Sequence, residues 1–304
     1  MIATLFLGIL FFFLIGTPIA VGLGLGTTIS IILDGNFPLV LVPQRMFTGL
    51  DSWPIMAIPL FMFAGNLMDE GGLSQKIVEF AEAWVGWLKG SLAMVCVLAS
   101  MVFAGISGSS TADTAAVGAI LMPAMREKGY DMRFASVLQA GAGAIGPIIP
   151  PSILMVLIGY STNTSVGQLF MCGIIPGILV GVSLMVYSYI HASRRGSAYV
   201  STAPFDFKTA MKKTWIALPG IGLPFIIIFG IVGGVFTATE GAGIAVLYGL
   251  IVALFVYKEI TVKDLPRLLL KSAESASMII IITAAAYIFS WFITARQIPQ
   301  LLVT

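Results

Sequence analysis

Four hydroxyl side chains and two glycines occupy the short stretch from Gly105 to Ala112, in the middle of an apolar run. The hydroxyl residues are Ser107, Ser109, Ser110 and Thr111. An acid, Asp113, follows directly. A small hard cation such as sodium exchanges its hydration shell for neutral or anionic oxygen ligands held in a dry environment. The stretch therefore indicates cation binding, and Asp113 could strengthen the negative field of the site.

A second unusual stretch, from Gln139 to Ser152, contains three prolines within five residues. Proline lacks an N–H donor and its ring clashes with the carbonyl one turn back, so this run cannot remain a continuous helix. A helix broken at membrane depth offers free carbonyl oxygens and half-helix ends to ions and anionic substrates. The candidate sodium ligands are the hydroxyls of Ser107 and Ser110 and the carbonyls of Gly146 and Ile149. The alternative is a structural kink without a chemical role.

The composition places these stretches in a membrane protein. Charged side chains make up 10% of the 304 residues and apolar ones 58%, whereas soluble domains carry about 25% charged residues. Such a chain has too little polar surface for a water-soluble fold, and it predicts an all-α polytopic membrane protein. Cys96 and Cys172 lie in apolar runs and support neither a disulfide framework nor a zinc or redox site. The single histidine, His191, is typical of a helix end.

The basic residues fall in four clusters between apolar runs. The clusters are Lys76 with Lys89; Arg126, Lys128 and Arg133; Arg194 to Lys213; and Lys258 to Lys271. Arg45 and Arg296 alone lie elsewhere. The positive-inside rule puts all four clusters in the cytoplasm, so an even number of crossings separates each from the next. The predicted crossings are residues 134–158, 166–191, 216–237 and 241–257.

Residues 91–125 have a cytoplasmic cluster at each end and a small, polar middle. We expect this segment to enter the membrane and turn back as a re-entrant hairpin, with its tip at Gly105 to Ala112. A turn at membrane depth persists only inside protein or beside a wet cavity, because its free N–H and C=O groups need partners. The alternative is an ordinary helix with a Gly/Ser packing face.

The two ends of the chain match weakly at an offset of about 225 residues, as in transporters built from inverted repeats. Ile19 to Val21 correspond to Ile244 to Val246. By the charge assignment residues 18–33 run outward and residues 241–257 run inward, so the two copies are inverted. The counterpart of the hairpin tip would fall past the last residue, and we expect this sequence to stop before a second hairpin.

These features predict a division into five parts. The parts are residues 1–72, the scaffold of the first repeat; 73–90, an interfacial arm helix; 91–165, a transport domain with the re-entrant hairpin (91–125) and the broken helix (134–158); 166–215, a crossing with a basic cytoplasmic connector or arm; and 216–304, the scaffold of the inverted repeat. The amphipathic stretches 205–215 and 265–271 could be further arms.

The apolar run 2–15 has no cleavage pattern and is expected to be a retained membrane segment. Glu240 fits a helix cap after Thr237.

Several stretches resemble one known family, the large membrane (permease) subunit of tripartite ATP-independent periplasmic (TRAP) transporters. The specific ones are GISGSSTADTAAVGAILMPAM and GAIGPIIPPSILMVLIGYST, with PLFMFAGNLMDEGG before them and GGVFTATEGAGIAVLYG after them. The resemblance runs over essentially the whole chain. The resemblance implies a second hairpin with a second sodium site in family members, and we expect this sequence to end before both.

The resemblance implies an elevator-type symporter of the bacterial or archaeal cytoplasmic (inner) membrane. Sodium would drive the uptake of an organic anion, a carboxylate such as a C4-dicarboxylate or sialic acid. A periplasmic binding protein would deliver the anion, and a small four-helix membrane subunit would complete the complex. Carried over by position, the sodium ligands would be Ser107, Ser110, Gly146, Ile149 and Pro151. Our candidates for the substrate cavity are Ser109, Thr111, Asp113, Pro150 and Ser152.

Two other functions are compatible with parts of the pattern. A stand-alone sodium-coupled carboxylate or oxyanion elevator transporter would explain the hairpin, the break and the repeat, but it would need no binding protein. An intramembrane enzyme is the weakest alternative, since Ser107 and Asp113 have no histidine or lysine base at membrane depth and a nucleophile without a base is inert.

Overall fold

The computed structural model describes residues 2–195 and 204–303, and within these ranges the chain forms helices joined by turns, without strands. The helices are α1 (Ile2–Leu14), α2 (Ile19–Asp34), α3 (Leu41–Thr48), α4 (Ala57–Met68), α5 (Ser74–Val85), α6 (Ser91–Ser107), α7 (Ser110–Glu127), α8 (Met132–Gly143), α9 (Ile153–Thr162), α10 (Val166–Arg195), α11 (Phe207–Val232), α12 (Ala238–Ile251), α13 (Leu265–Ala295) and α14 (Ile298–Val303). Short π-helical segments extend α4 and α12, at Asp69–Leu73 and Val252–Tyr257. The predicted all-α polytopic class is confirmed.

Four helices of the described chain are long and apolar enough to cross a membrane. They are Val166–Arg194, Phe207–Val232, Ala238–Tyr257 and Val262–Ala295. The bent pair Leu41–Thr48 and Trp53–Val85 would add a fifth if it forms one span. The predicted crossings 166–191, 216–237 and 241–257 coincide with three of the four. The broken crossing, 134–158, appears as α8 and α9, which have 12 and 10 residues.

Packing divides the chain into two compact units, residues 1–55 with 273–304 and residues 56–272. Both boundaries fall inside the segments 1–72 and 216–304 that the sequence assigns to a scaffold. Compactness describes packing in one conformation, whereas the predicted division concerns which parts move. The five predicted parts therefore stay predictions.

In the first unit, apolar side chains of α1 and α2 pack with the last turns of α13. Leu5, Ile31 and Phe292 are almost fully buried in this core. The two basic residues outside the four clusters are held there by aromatic rings. The Arg296 guanidinium pairs with Asp34 and lies 5.0 Å from the centre of the Phe37 ring, and that of Arg45 lies 5.1 Å from the centre of the Trp291 ring. These contacts tie the loop after α2 and helix α3 to the end of α13.

In the second unit, α4 packs along α12, and Phe63, Leu67 and Leu268 belong to one buried core. Acidic residues near α5 pair with members of three basic clusters. The ion pairs are Lys76–Glu259 at 3.2 Å, Lys213–Glu79 at 2.6 Å, Lys271–Glu70 at 2.9 Å and Arg267–Glu70 at 2.5 Å. Basic residues from these three clusters therefore meet at one end of the unit, as a shared membrane side requires.

The stretches 205–215 and 265–271 are not separate arm helices. They begin α11 and α13, which continue without a break into apolar sequence. Asp206 caps α11, where its carboxylate accepts from Lys208 N at 3.1 Å and Thr209 N at 3.3 Å. Hydrogen bonds, first from the Thr209 side chain, hold the pKa of Asp206 below its usual value. The beginning of a long helix can be as amphipathic as a short separate helix. The sequence pattern therefore could not distinguish the predicted arms from the observed starts of α11 and α13.

Candidate functional site

Two residues turn the chain at the tip of the hairpin formed by α6 and α7. Gly108 follows α6 with a φ of +60°, in the left-handed region that favours glycine. Ser109 begins α7 as its N-cap, and its hydroxyl accepts from Ala112 N at 3.5 Å. The turn lies inside the stretch Gly105 to Ala112, so two helices meet at the predicted tip. The re-entrant course of this hairpin in the membrane stays a prediction.

Asp113 lies in the first turn of α7 and is fully buried. Its Oδ1 accepts a short hydrogen bond from the Ser107 hydroxyl, whereas its Oδ2 has no hydrogen-bond partner among the described residues. The partial positive charge at the start of α7 favours a carboxylate here. A buried carboxylate oxygen without a donor is nevertheless costly, so this oxygen is available to a cation or a proton.

Gly146 lies directly against this carboxylate. A Cβ added at position 146 would collide with Asp113 Oδ2 and would lie 3.0 Å from Ser110 N. The φ angle of Gly146 is not positive. Glycine is therefore needed at this position because of the limited space and not because of the backbone conformation. The turn after α8 therefore touches the hairpin tip at Asp113 Oδ2, the buried oxygen without a partner among the described residues.

The tip also packs on the backbone of the proline break. A Cβ on Gly108 would lie 2.5 Å from the carbonyl oxygen of Pro151, and one on Gly105 would lie 3.5 Å from that of Pro150. Gly108 thus allows a carbonyl group of the break to approach the hairpin closely, whereas at Gly105 the distance is an ordinary van der Waals contact. The predicted interruption is confirmed, since residues 144–152 are not helical and separate α8 from α9.

Ser152 closes the break as the N-cap of α9. Its hydroxyl donates to Pro147 O at 2.7 Å and accepts from Met155 N at 3.3 Å, and the residue is fully buried. A hydroxyl used for two backbone bonds holds the start of α9 in place. Ser152 was a candidate for the substrate cavity, and in the structure its hydroxyl makes contacts that stabilise the fold.

The remaining candidates lie at different distances from Asp113. Ser110 follows the cap, and its backbone N is beside Gly146. The hydroxyls of Ser109 and Thr111 lie 3.1 Å apart, and Thr111 is exposed. The Ile149 side chain meets Gly177 of α10, on another side of the break. Tip and break are thus in contact: Ser107 bonds to the buried carboxylate, Gly146 lies against it, and Ser110 N lies beside Gly146.

Sequence reasoning did not identify two supports of this site. Gly65 of α4 lies against the tip, because a Cβ there would be 3.4 Å from Ser107 Cα. Gln139 of α8 is 4% exposed and makes hydrogen bonds to both arms of the hairpin. The only signal for Gln139 was an amide within an otherwise small and apolar stretch.

A hairpin whose tip packs on the broken part of a discontinuous helix, in an all-α polytopic chain, is an arrangement typical of secondary transporters. The chain belongs to the family described as tripartite ATP-independent periplasmic transporter, DctM component, whose model matches residues 6–304. This match agrees with the resemblance seen in the sequence motifs.

Curated relatives agree with the family. The chain is 41% identical to the isethionate TRAP transporter permease protein DctMQ of Oleidesulfovibrio alaskensis, over 95% of this chain and 45% of the relative. It is 39% identical to the C4-dicarboxylate TRAP transporter large permease protein DctM of Pseudomonas aeruginosa, over 91% and 65%. It is 34% identical to the sialic acid TRAP transporter large permease protein SiaM of Vibrio cholerae, over 97% and 68%. The chain therefore spans 45% to 68% of the length of these relatives.

Proposed function

We propose that this protein acts as the large permease subunit of a sodium-coupled symporter that carries an organic anion across the cytoplasmic membrane of a bacterium or archaeon. Family membership supports transport. The observation that supports sodium coupling is the Asp113 carboxylate, which is fully buried at the tip–break contact with one oxygen lacking a partner among the described residues. A cation at this position would satisfy that oxygen.

The sodium ligands in this proposal come from both the tip and the break. They are the free carboxylate oxygen of Asp113, the hydroxyls of Ser107 and Ser110, and the main-chain oxygens of Gly146, Ile149 and Pro151. Because the two elements already touch through Gly108 and Gly146, a shared cation would fix one against the other. Ordering of this contact by sodium would then complete the anion cavity, so that each ligand raises the affinity for the other.

The names of the relatives support an organic anion as the substrate, since they mention isethionate, C4-dicarboxylate and sialic acid. A carboxylate such as a C4-dicarboxylate, or sialic acid, is the substrate class that we propose. Thr111 is exposed at the tip and its hydroxyl lies 3.1 Å from that of Ser109, and both hydroxyls are proposed to contact the substrate. Membership of a tripartite family supports two partners, a periplasmic binding protein and a small four-helix membrane subunit.

The proposed mechanism is alternating access by an elevator movement. Residues 91–165, which contain the hairpin and the break, would move against a scaffold formed by residues 1–72 and 216–304. The lines of support are the weak inverted repeat in the sequence and the packing of the hairpin on the break. Movement of tip and break together would carry the sodium site and the anion cavity across the membrane as one body.

The experiment is uptake into proteoliposomes that contain the complete large subunit and the small membrane subunit, with the binding protein added outside. A panel of labelled carboxylates and sialic acid is tested with and without a sodium gradient. Ser110→Ala should lower sodium-dependent uptake about tenfold, because one charge-assisted oxygen contact to the cation is lost. The matched control is Ser183→Ala, which changes an exposed serine of α10.

Each outcome has a distinct meaning. Uptake that needs both sodium and the binding protein supports the proposal. Uptake without the binding protein would instead support a stand-alone carrier. Sodium-dependent uptake that Ser110→Ala leaves unchanged would reject Ser110 as a ligand, and sodium-independent uptake would reject the coupling.

A further inference from the structure

Gln139 lies at a place where one side chain can hold three helices together. It belongs to α8, whose C-terminal end leads into the proline break. The Cys96 thiol of α6 donates to Gln139 Oε1 at 2.9 Å. Gln139 Nε2 donates to the carbonyl oxygen of Thr114, in α7, at 3.4 Å. The amide is 4% exposed and therefore bridges both arms of the hairpin from the helix beside them.

The position of Gln139 along α8 relates this bridge to the candidate sodium site. Gly143 follows Gln139 at a spacing of four residues on the same face of α8, and Gly146 lies three residues further, in the turn after the helix. A Cβ at position 143 would collide with the Thr114 side chain, and one at position 146 would collide with Asp113. The end of α8 and the turn after it thus carry the amide bridge first and then two close approaches to the start of α7.

The bridge also acts on the residue next to the buried carboxylate, because Thr114 directly follows Asp113. The stem of the Gln139 side chain lies over Gly118, where an added Cβ would be 3.5 Å from Gln139 Cγ. The Gln139 side chain therefore packs on α7 at Gly118 as well as on its hydrogen-bond partners. A donor and an acceptor in fixed positions then set both the distance and the register of α8 on the hairpin.

We propose that Gln139 is a positioning residue for cation binding, which holds the end of α8 in register with the hairpin so that Gly146 meets Asp113. The inference rests on the proposed sodium coupling. Gln139 is no ligand in this account, since its amide is already used by Cys96 and Thr114. It preorganises the tip–break contact, so its loss should weaken sodium binding while leaving the ligands themselves in place.

The test is the sodium dependence of the initial uptake rate in the reconstituted complete transporter, at saturating anion. Gln139→Leu removes both hydrogen bonds at similar volume. It should raise the half-saturating sodium concentration about tenfold and keep the maximum rate within about twofold. Gln168→Leu makes the same chemical change at an exposed position of α10 and should alter neither value.

A second pair of variants covers the case in which Gln139→Leu fails to fold. Cys96→Ser keeps a donor for the Gln139 oxygen and should leave the half-saturating concentration within about twofold of wild type. Cys96→Ala removes that donor and should raise it about threefold. Cys172→Ala is its control, because Cys172 is exposed.

The results separate this inference from the proposed function. Unchanged sodium half-saturation in Gln139→Leu, or equal values in Cys96→Ser and Cys96→Ala, would overturn the positioning role and leave sodium coupling intact. A fall in maximum rate alone would show that Gln139 serves only packing. Sodium-independent uptake by the wild type would overturn both proposals.

Discussion

Two acids of this chain occupy similar places in the sequence and opposite environments in the structure. Asp113 and Glu240 each lie in the first turn of a helix, after a hydroxyl residue that caps it. Glu240 is exposed, and its Oε2 accepts from Thr237 N at 2.7 Å and from the Thr237 hydroxyl at 2.9 Å. Asp113 is fully buried, with one oxygen bonded to Ser107 and the other without a partner among the described residues.

The difference separates an acid that completes a helix from an acid that is available for binding. The Thr237–Glu240 contacts form a capping box, which confirms the structural role predicted for Glu240. In α7 the cap is supplied by Ser109, so Asp113 is not needed for it. Asp113 is neither capping nor solvated, and its Oδ2, which has no hydrogen-bond partner among the described residues, lies directly beside Gly146.

The largest expected effect is on Asp113. Asp113→Asn keeps the shape but removes the charge, and we expect sodium-dependent uptake to fall about 100-fold, because a charged ligand is replaced by a neutral one. Glu240→Gln, the same change at the capping acid, should leave uptake within about twofold. The measurement is initial uptake in the reconstituted complete transporter. Equal effects of the two variants on uptake would show that the burial and hydrogen bonding of the two acids do not determine their importance for transport.

The next effect is steric and concerns Gly146. Gly146→Ala puts a methyl group against Asp113 Oδ2, and we expect the half-saturating sodium concentration to rise about 30-fold, because the tip must shift from the break. Gly243→Ala is the matched control, since a Cβ at position 243 of α12 meets nothing within 4 Å. A sodium response unchanged by Gly146→Ala would mean that the tip–break contact is unrelated to the cation.

Two serines refine the comparison between binding and capping. Ser107→Ala removes the donor to Asp113 Oδ1 and should raise the half-saturating sodium concentration about tenfold. Ser152→Ala removes the cap of α9 and should cost about 1 kcal/mol of unfolding free energy with a smaller change in sodium response. Thermal melting and sodium titration of both variants check this order. A reversed order would assign the cation to the α9 side of the break.

The smallest effect is expected at the capping box of α12. Thr237→Ala removes the side-chain cap and one of the two donors to Glu240. We expect a lower melting temperature, corresponding to about 1 kcal/mol, and normal sodium dependence. A changed sodium half-saturation in this variant would contradict the division between capping and binding acids.

The sequence predicted the elements that backbone chemistry dictates. Consecutive prolines forced the break, and glycines among hydroxyls located the turn that Gly108 and Ser109 make. The bridge by Gln139 was not predictable, because its partners lie 43 and 25 residues away and are chosen by packing. The burial of Asp113 against Gly146 was not predictable either. The apolar residues around Asp113 in the sequence do not determine which distant segment packs against its carboxylate.

The most direct test of the central claim is equilibrium binding of radioactive sodium to the purified complete large subunit with its small membrane subunit. Wild type and Glu240→Gln should bind the same number of sodium ions with the same affinity, and Asp113→Asn should bind fewer sodium ions per subunit while remaining folded in a thermal melt. Equal sodium binding by folded Asp113→Asn and wild type would contradict a cation site at the contact between the hairpin tip and the break.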